Sequence, residues 1–296
     1  MTFDEARSEI VKSTRHIYEL DEATNIAELL LEKITKLTRS ERVARRSDVL
    51  LTSEQELLQT SIFRLREFEP VQYVINESWF AGLRFYVDRN VLIPRPETEE
   101  LIEWIVSDCR LTTGRSQLTS SRFQIPNLRF LDVGTGSGCI AIALKNKLRD
   151  IEMWACDLND DALNVARLNA DVLHATIDFV ALNFLDPNQR RQLPSVDVIV
   201  SNPPYVPRNE KASMRENVVR YEPSAALFVP DNDPLVFYEA IAAFGREKLN
   251  KGGCIYVEIH EDYGEQTKYL FLSEGYQTVQ LKKDLQEKDR MIKAVN

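Results

Sequence analysis

Apolar residues in the first seventy positions recur at helical spacing: Ile10, Ile17 and Leu20, then Ile26, Leu29, Leu30, Ile34 and Leu37, then Leu50, Leu57, Leu58 and Ile62. The same stretch has no glycine, and its one proline is Pro70. "DEAT" near 21 and "TSEQE" near 52 place acids where helices begin. A small helical domain over 1–70 is expected. Residues 71–92, "VQYVINESWFAGLRFYVDRNVL", are aromatic and β-branched, alternate in places, and predict a β-hairpin linker turning at Asp88-Arg89-Asn90. From 93 to 296 the pattern changes again. Strand-like runs at 128–133, 152–157, 176–182, 196–201 and 253–259 are separated by helical stretches such as 139–149, 160–170, 235–249 and 262–274. That alternation predicts βαβ units in an α/β, doubly wound, mostly parallel sheet. The polar segment 112–127 reads as a surface excursion.

Composition narrows the function. A chain of 296 residues, 44% hydrophobic and 28% charged, can bury a sizeable core. No apolar run approaches the roughly 20 residues of a membrane helix, and the charged N-terminus lacks the apolar core of a signal peptide. A cytoplasmic protein without a membrane partner is expected. The formal net charge of −9 disfavours gripping nucleic acid through its phosphates. Cys109, Cys139, Cys156 and Cys254 fit neither a zinc site nor a disulfide framework, and the last three read as buried reduced thiols. His16, His174 and His260 are scattered and receive no chemical role, and no metal is expected.

"FLDVGTGSGCIAIAL" (130–144) puts Gly134, Gly136 and Gly138 where a strand should end and a helix begin. Glycine there admits positive φ and close approach of a ligand, which the helix N–H groups can meet. The G-x-G-x-G spacing departs from the dinucleotide fingerprint and points to another nucleoside ligand. Thr135 and Ser137 complete the loop. Asp157 ends the next strand, where a carboxylate can accept both hydroxyls of a ribose, unless it only caps the helix that follows. Asp132 could hold a cationic ligand group or bond the loop itself.

"NPPY" (202–205) follows the run "VDVIVS". By chance such a string arises in about one chain per thousand of this length. Pro203 and Pro204 fix φ and remove two donors, leaving the Pro203 carbonyl a rigid acceptor beside the Asn202 side-chain carbonyl. Two fixed acceptors can hold both hydrogens of a planar –NH2 group, and Tyr205 can stack on its plane. Such a nitrogen is a poor nucleophile. Positioning beside a strong electrophile supplies the rate, and its proton can leave afterwards, so no basic residue is required.

The glycine loop, Asp157 and NPPY, in that order, resemble class I S-adenosylmethionine-dependent methyltransferases, and Phe184 in "LNFLD" matches the family's adenine-flanking position. "QYV…WFAGLRF", "FYVDRNVLIPRPETEELI", "YEPSAALF", "VEI" and "DLQEKDRMI" tighten the resemblance to the HemK/PrmC protein-(glutamine-N5) methyltransferases of peptide chain release factors. The resemblance implies a seven-stranded Rossmann-like sheet. It implies S-adenosylmethionine as cofactor, giving S-adenosylhomocysteine, held by Gly134, Thr135, Gly136, Ser137, Gly138, Asp157, Phe184 and Asn202. Asn202, Pro203, Pro204 and Tyr205 then bind the glutamine amide of a Gly-Gly-Gln motif, with Asn202, Pro203 and Tyr205 catalytic. The helical domain docks a release factor as protein partner, and a monomer is expected. Two departures stand out: Asn76 occupies a usual glycine position, and "FVPDNDPLVFYEAI" replaces a glycine-rich stretch. Arg95-Pro96-Glu97-Thr98 favours the release-factor branch over relatives acting on a ribosomal protein, and reads otherwise as a linker turn and helix cap. The alternatives are an adenine-N6 or guanine-N2 nucleic-acid methyltransferase, a glutamine methyltransferase of a ribosomal protein, and a non-catalytic binder.

Overall fold

The computed structural model describes residues 1–112 and 128–296, so nearly all of the polar segment at 112–127 lies outside the described residues. The chain divides into two compact units, Met1–Glu77 with Met214–Tyr221, and Ser78–Ser213 with Glu222–Asn296.

The first unit is helical: α1 (Phe3–Thr14), α2 (Leu20–Thr35), α3 (Arg39–Ala44), α4 (Thr52–Arg66) and α5 (Val71–Ile75). Thr2 caps α1 and Thr38 caps α3, each in a reciprocal capping box with the glutamate three residues on. The helices bury Ile10, Ile26, Leu30, Leu31, Leu58 and Leu65 in one core, each such side chain contributing roughly 1.5–3 kcal/mol. The segment read as a hairpin linker from residue 71 therefore opens with a helical turn. Asn76 ends that turn at φ 52°, the left-handed conformation that glycine adopts freely and asparagine tolerates best among other residues. This accounts for the glycine-to-asparagine departure.

The second unit begins with a hairpin, β1 (Ser78–Phe80) and β2 (Leu83–Phe85). Its turn is Ala81-Gly82, both at positive φ, and not Asp88-Arg89-Asn90. A two-residue turn of this twist matches the strands, and glycine permits it. Asp88 makes a separate local turn by accepting from the Asn90 N–H. There follow α6 (Pro96–Thr112), β3 (Arg129–Val133), α7 (Cys139–Leu148), β4 (Glu152–Asp157), α8 (Asp160–Val172), β5 (Asp178–Ala181), α9 (Pro187–Arg190) and β6 (Val196–Ser201). Short elements come next: β7 (Val206–Pro207), α10 (Glu216–Tyr221, packed with the helical unit), α11 (Ser224–Leu227) and β8 (Phe228–Val229). The chain closes with α12 (Val236–Lys248), β9 (Leu249–Glu258), α13 (Gly264–Ser273), β10 (Thr278–Lys283) and β11 (Asp289–Val295).

The main sheet has seven strands in the order β10-β11-β9-β6-β3-β4-β5. The β9-β6-β3-β4-β5 pairs are parallel, and β11 runs against both its neighbours. This is the doubly wound, mostly parallel sheet expected from the sequence. The chain leaves β3 toward β4 and β5, then returns to β6 on the other side of β3. Strand order reverses at that point, which opens a crevice beyond the carboxyl ends of β3 and β6. Of the cysteines, Cys156 is buried, whereas Cys139 and Cys254 are only half-buried, less than their apolar surroundings suggested; all four are free thiols.

Candidate active site

A cavity of about 180 Å³ lies at this switch point within the second unit. Gly134, Gly136, Asp157, Phe184, Asn202, Pro203 and Pro204 line it, together with Leu92, Leu182 and Pro223. Residues from both motifs thus meet in one cleft.

The glycine loop is built by its own hydrogen bonds. The N–H groups of Gly134 and Thr135 donate to the Cys156 carbonyl at 2.9 and 3.0 Å, and Gly138 N–H donates to the Thr135 carbonyl at 2.9 Å. Gly134 and Gly136 have φ of 73° and 54°, and a Cβ on either would meet nothing within 4 Å. Their need for glycine is conformational, and the space beside them is open. Gly138 differs: a Cβ there would meet Ile142 Cδ1 at 3.0 Å and Ala166 Cβ at 3.2 Å. Thr135, Ser137 and Gly138 were assigned to the ligand with the rest of the loop, but none of them lines the cavity. Thr135 and Ser137 are buried, and the Thr135 hydroxyl donates to Asp132 Oδ2 at 2.7 Å. Behind the loop Asn169 donates to the carbonyls of Ser137 and Tyr86 and accepts from the Tyr86 N–H.

Asp157 accepts from Gly136 N–H at 2.9 Å and Asn159 N–H at 3.0 Å. It does not cap the following helix, because Asn159 does. Burial raises its carboxyl above the usual range, against these N–H bonds. Asp132 is fully buried beneath the loop, and burial pushes it up to about 7, with Asp157 adding repulsion. Its Oδ1 has no hydrogen-bond partner among the described residues. Phe184 packs edge-on to Phe244, with centroids 5.3 Å apart.

Asn202 and the two prolines follow β6 directly. The Asn202 Nδ2 donates to Thr98 Oγ1 at 3.0 Å, and Thr98 Oγ1 donates to Glu258 Oε2 at 2.6 Å. Tyr205 donates its phenol to Glu258 Oε1 at 3.0 Å. Tyr205 does not itself line the cavity, because its hydroxyl is drawn back to Glu258 and its ring edge meets His260. Burial and the facing Glu258 carboxylate push the phenol upward. Glu258 lies at the end of β9 and is raised by burial, while Thr98, Tyr205 and the Arg290 guanidinium act in the other direction. A second buried carboxylate, Glu222, accepts from Arg95 at 2.7 Å and from Ile93 N–H at 3.1 Å, which joins the "IPRPE" turn to the "YEPS" segment.

The sequence reading missed Thr98, Glu258, Glu222 and Asn169 as shapers of this site. Thr98, Glu222 and Glu258 stand inside the strings "RPET", "YEP" and "VEI", yet nothing in their spacing says that they meet. Asn169 carried no signal beyond an asparagine on an amphipathic helix.

The sheet order with its one reversed strand, and a glycine loop and NPPY on neighbouring carboxyl ends, define a class I methyltransferase. The hMettl16 catalytic domain, solved in complex with the MAT2A 3′UTR hairpin 6, has the same fold at a TM-score of 0.54 and 17% identity, over 82% of this chain and 81% of that one. The methyltransferase small domain family model matches residues 108–224, and the PrmC N-terminal domain model matches 5–75. The release factor glutamine methyltransferase of Flavobacterium psychrophilum is 39% identical across 97% of this chain and 96% of its own length. That of Bacteroides thetaiotaomicron is 42% identical across 83% and 84%. The chain belongs to the release factor glutamine methyltransferase family.

Proposed function

We propose that this protein transfers a methyl group from S-adenosylmethionine to the side-chain amide nitrogen of the glutamine in the Gly-Gly-Gln motif of a peptide chain release factor. The observation that carries this reading is that Asn202 and Pro203 share one cleft with Gly134, Gly136 and Asp157. Two rigid acceptors for an –NH2 group thus stand beside a loop suited to a nucleoside.

The residues fit the cofactor. Open space over Gly134 and Gly136 admits close approach of the ligand, and Asp157 retains lone pairs for ribose hydroxyls. Phe184 and Leu182 offer apolar surface to a flat base. When bound, S-adenosylmethionine supplies an electrophilic sulfonium methyl. Asn202 Oδ1 and the Pro203 carbonyl hold the two amide hydrogens and aim the nitrogen lone pair. Tyr205, outside the cavity lining, is held by Glu258 directly behind the two prolines and supports the cradle from there. The amide proton, acidified once nitrogen is alkylated, leaves to water.

The helical unit, residues 1–70 in the sequence reading, would dock the release factor; Leu51, Leu57 and Phe63 of this unit are exposed by 67, 56 and 66%. No helix among the described residues is long and apolar enough to cross a membrane, and the acidic chain suits a monomer acting in the cytoplasm on a protein.

Mass spectrometry of a recombinant release factor, incubated with this protein and S-adenosylmethionine, tests the proposal. A gain of one methyl on the Gly-Gly-Gln glutamine is expected. No gain there, with transfer to RNA or DNA in a parallel reaction, overturns it.

A further inference from the structure

The two ends of an asparagine amide have nearly the same shape and opposite hydrogen-bonding character. Only the oxygen end can accept from a substrate –NH2; the nitrogen end would oppose it with two more donors. Something must decide which end faces the cleft. We propose that Thr98 and Glu258 are positioning residues that fix the Asn202 amide with its oxygen toward the substrate. The inference rests on the reading that the cleft receives a planar amide.

The chain of bonds permits one order. A carboxylate has only lone pairs to offer. Glu258 therefore takes the single hydrogen of the Thr98 hydroxyl, at 2.6 Å. Thr98 then has only lone pairs left for Asn202. The contact at 3.0 Å is satisfied when the Asn202 –NH2 end donates, which turns Oδ1 away from Thr98. The second oxygen of Glu258 is occupied by the Tyr205 phenol at 3.0 Å. Thr98 and Glu258 are 2 and 1% exposed, so water has little access to replace either partner. One buried charge thus sets the direction of every hydrogen bond from Glu258 to Asn202. A neutral hydroxyl left to itself could donate to Asn202 as readily as accept, and the amide would lose its preferred end.

The test uses full-length protein with Thr98→Val, Thr98→Ser and Glu258→Gln. Valine keeps the shape of threonine and removes the hydroxyl. Serine keeps the hydroxyl. Glutamine has one oxygen where the carboxylate has two, so either Thr98 or Tyr205 loses its acceptor. Steady-state methylation of the release factor should show kcat reduced about ten- to a hundredfold in Thr98→Val, the loss expected when a buried polar group is left unpaired. KM for S-adenosylmethionine should stay within about threefold of wild type, since Asp157 and the glycine loop are untouched. Thr98→Ser should restore most of kcat, and Glu258→Gln should lower it, to the Thr98→Val level when the glutamine oxygen serves Tyr205 and its –NH2 end faces Thr98. In ¹⁵N-labelled protein without substrate, the Asn202 side-chain –NH2 resonance should exchange slowly in wild type and Thr98→Ser. In Thr98→Val it should shift and exchange faster, and in Glu258→Gln it should do so whenever kcat falls to the Thr98→Val level.

A Thr98→Val enzyme with wild-type kcat, or a Thr98→Ser enzyme as impaired as valine, overturns the assignment. So does an Asn202 resonance indifferent to all three substitutions. If wild-type protein methylates no release factor, the functional reading fails instead, and the resonance alone decides whether Thr98 and Glu258 orient Asn202.

Discussion

Asp132 gives the site a pH-dependent stability whose size follows from its burial. Its carboxyl is fully buried, has one bond to the Thr135 hydroxyl, and is pushed from the 3.8 of an unhindered aspartate to about 7. Below pH 4 the folded and unfolded chains both hold this proton. Between pH 4 and 7 the unfolded chain releases it and the folded chain retains it, so the folded state binds more protons and loses stability as pH rises. A gap of about three pKa units at 1.36 kcal/mol each makes the swing about 4 kcal/mol, complete above pH 7. Asp132→Asn keeps an oxygen for Thr135 and removes the titration. Urea midpoints followed by tryptophan fluorescence, taken for both proteins from pH 4.5 to 8 without cofactor, isolate Asp132 and its coupling to Asp157, because contributions from distant titrating groups cancel in the difference. With a urea slope of about 2–3 kcal/mol/M for a domain of this size, the variant should gain about 1–2 M in midpoint relative to wild type by pH 8. A difference that stays flat across that range would refute the argument and mean that Asp132 ionises freely beneath the loop.

The other consequences concern ligand and loop. Asn202→Ala should lower kcat by about a hundredfold while leaving S-adenosylmethionine affinity within a few-fold, measured by initial rates and calorimetry; collapsed binding with normal residual turnover would contradict the cradle. Asp157→Ala removes a charged acceptor worth about 1.5–3 kcal/mol, so the calorimetric Kd for S-adenosylmethionine should rise about ten- to a hundredfold, and a purely kinetic defect would count against the ribose role. Gly138→Ala puts a Cβ at φ 81° against Ile142 and Ala166 and should cost about 2–4 kcal/mol of stability, seen as a fall of several degrees in Tm.

The elements that the sequence announced are those whose pattern is decided locally. The strand Val196–Ser201 is a mostly apolar run, broken only by Asp197 and Ser201 and stopped by Asn-Pro, and it folds at those limits because both its faces are covered. The strand Thr278–Lys283 escaped notice because it is an edge strand whose only apolar residues, Val279 and Leu281, are half-buried among lysine, glutamine and threonine. The hairpin turn was sought at Asp-Arg-Asn, although Ala81-Gly82 between two aromatic pairs carries the better signal for a two-residue turn. In the cleft, Asn202, Pro203 and Asp157 were legible because their chemistry is carried by residue type at a strand end. Thr98 and Glu258 were not, since a threonine after a glutamate and a glutamate after a valine acquire meaning only by meeting.

That meeting joins distant parts of the chain. The bonds of the glycine loop join residues 3 and 21 positions apart, Thr135 to Asp132 and Gly136 to Asp157. The bonds that orient the amide cradle span 104 and 160 positions, Asn202 to Thr98 and Thr98 to Glu258. Closing a longer loop costs more chain entropy, so the cradle bonds depend on the whole sheet being in place, whereas the loop bonds are held largely by neighbouring strands. A change far along the chain, in the strand that carries Glu258, can therefore loosen the Asn202 end of the cleft while the glycine loop keeps its shape.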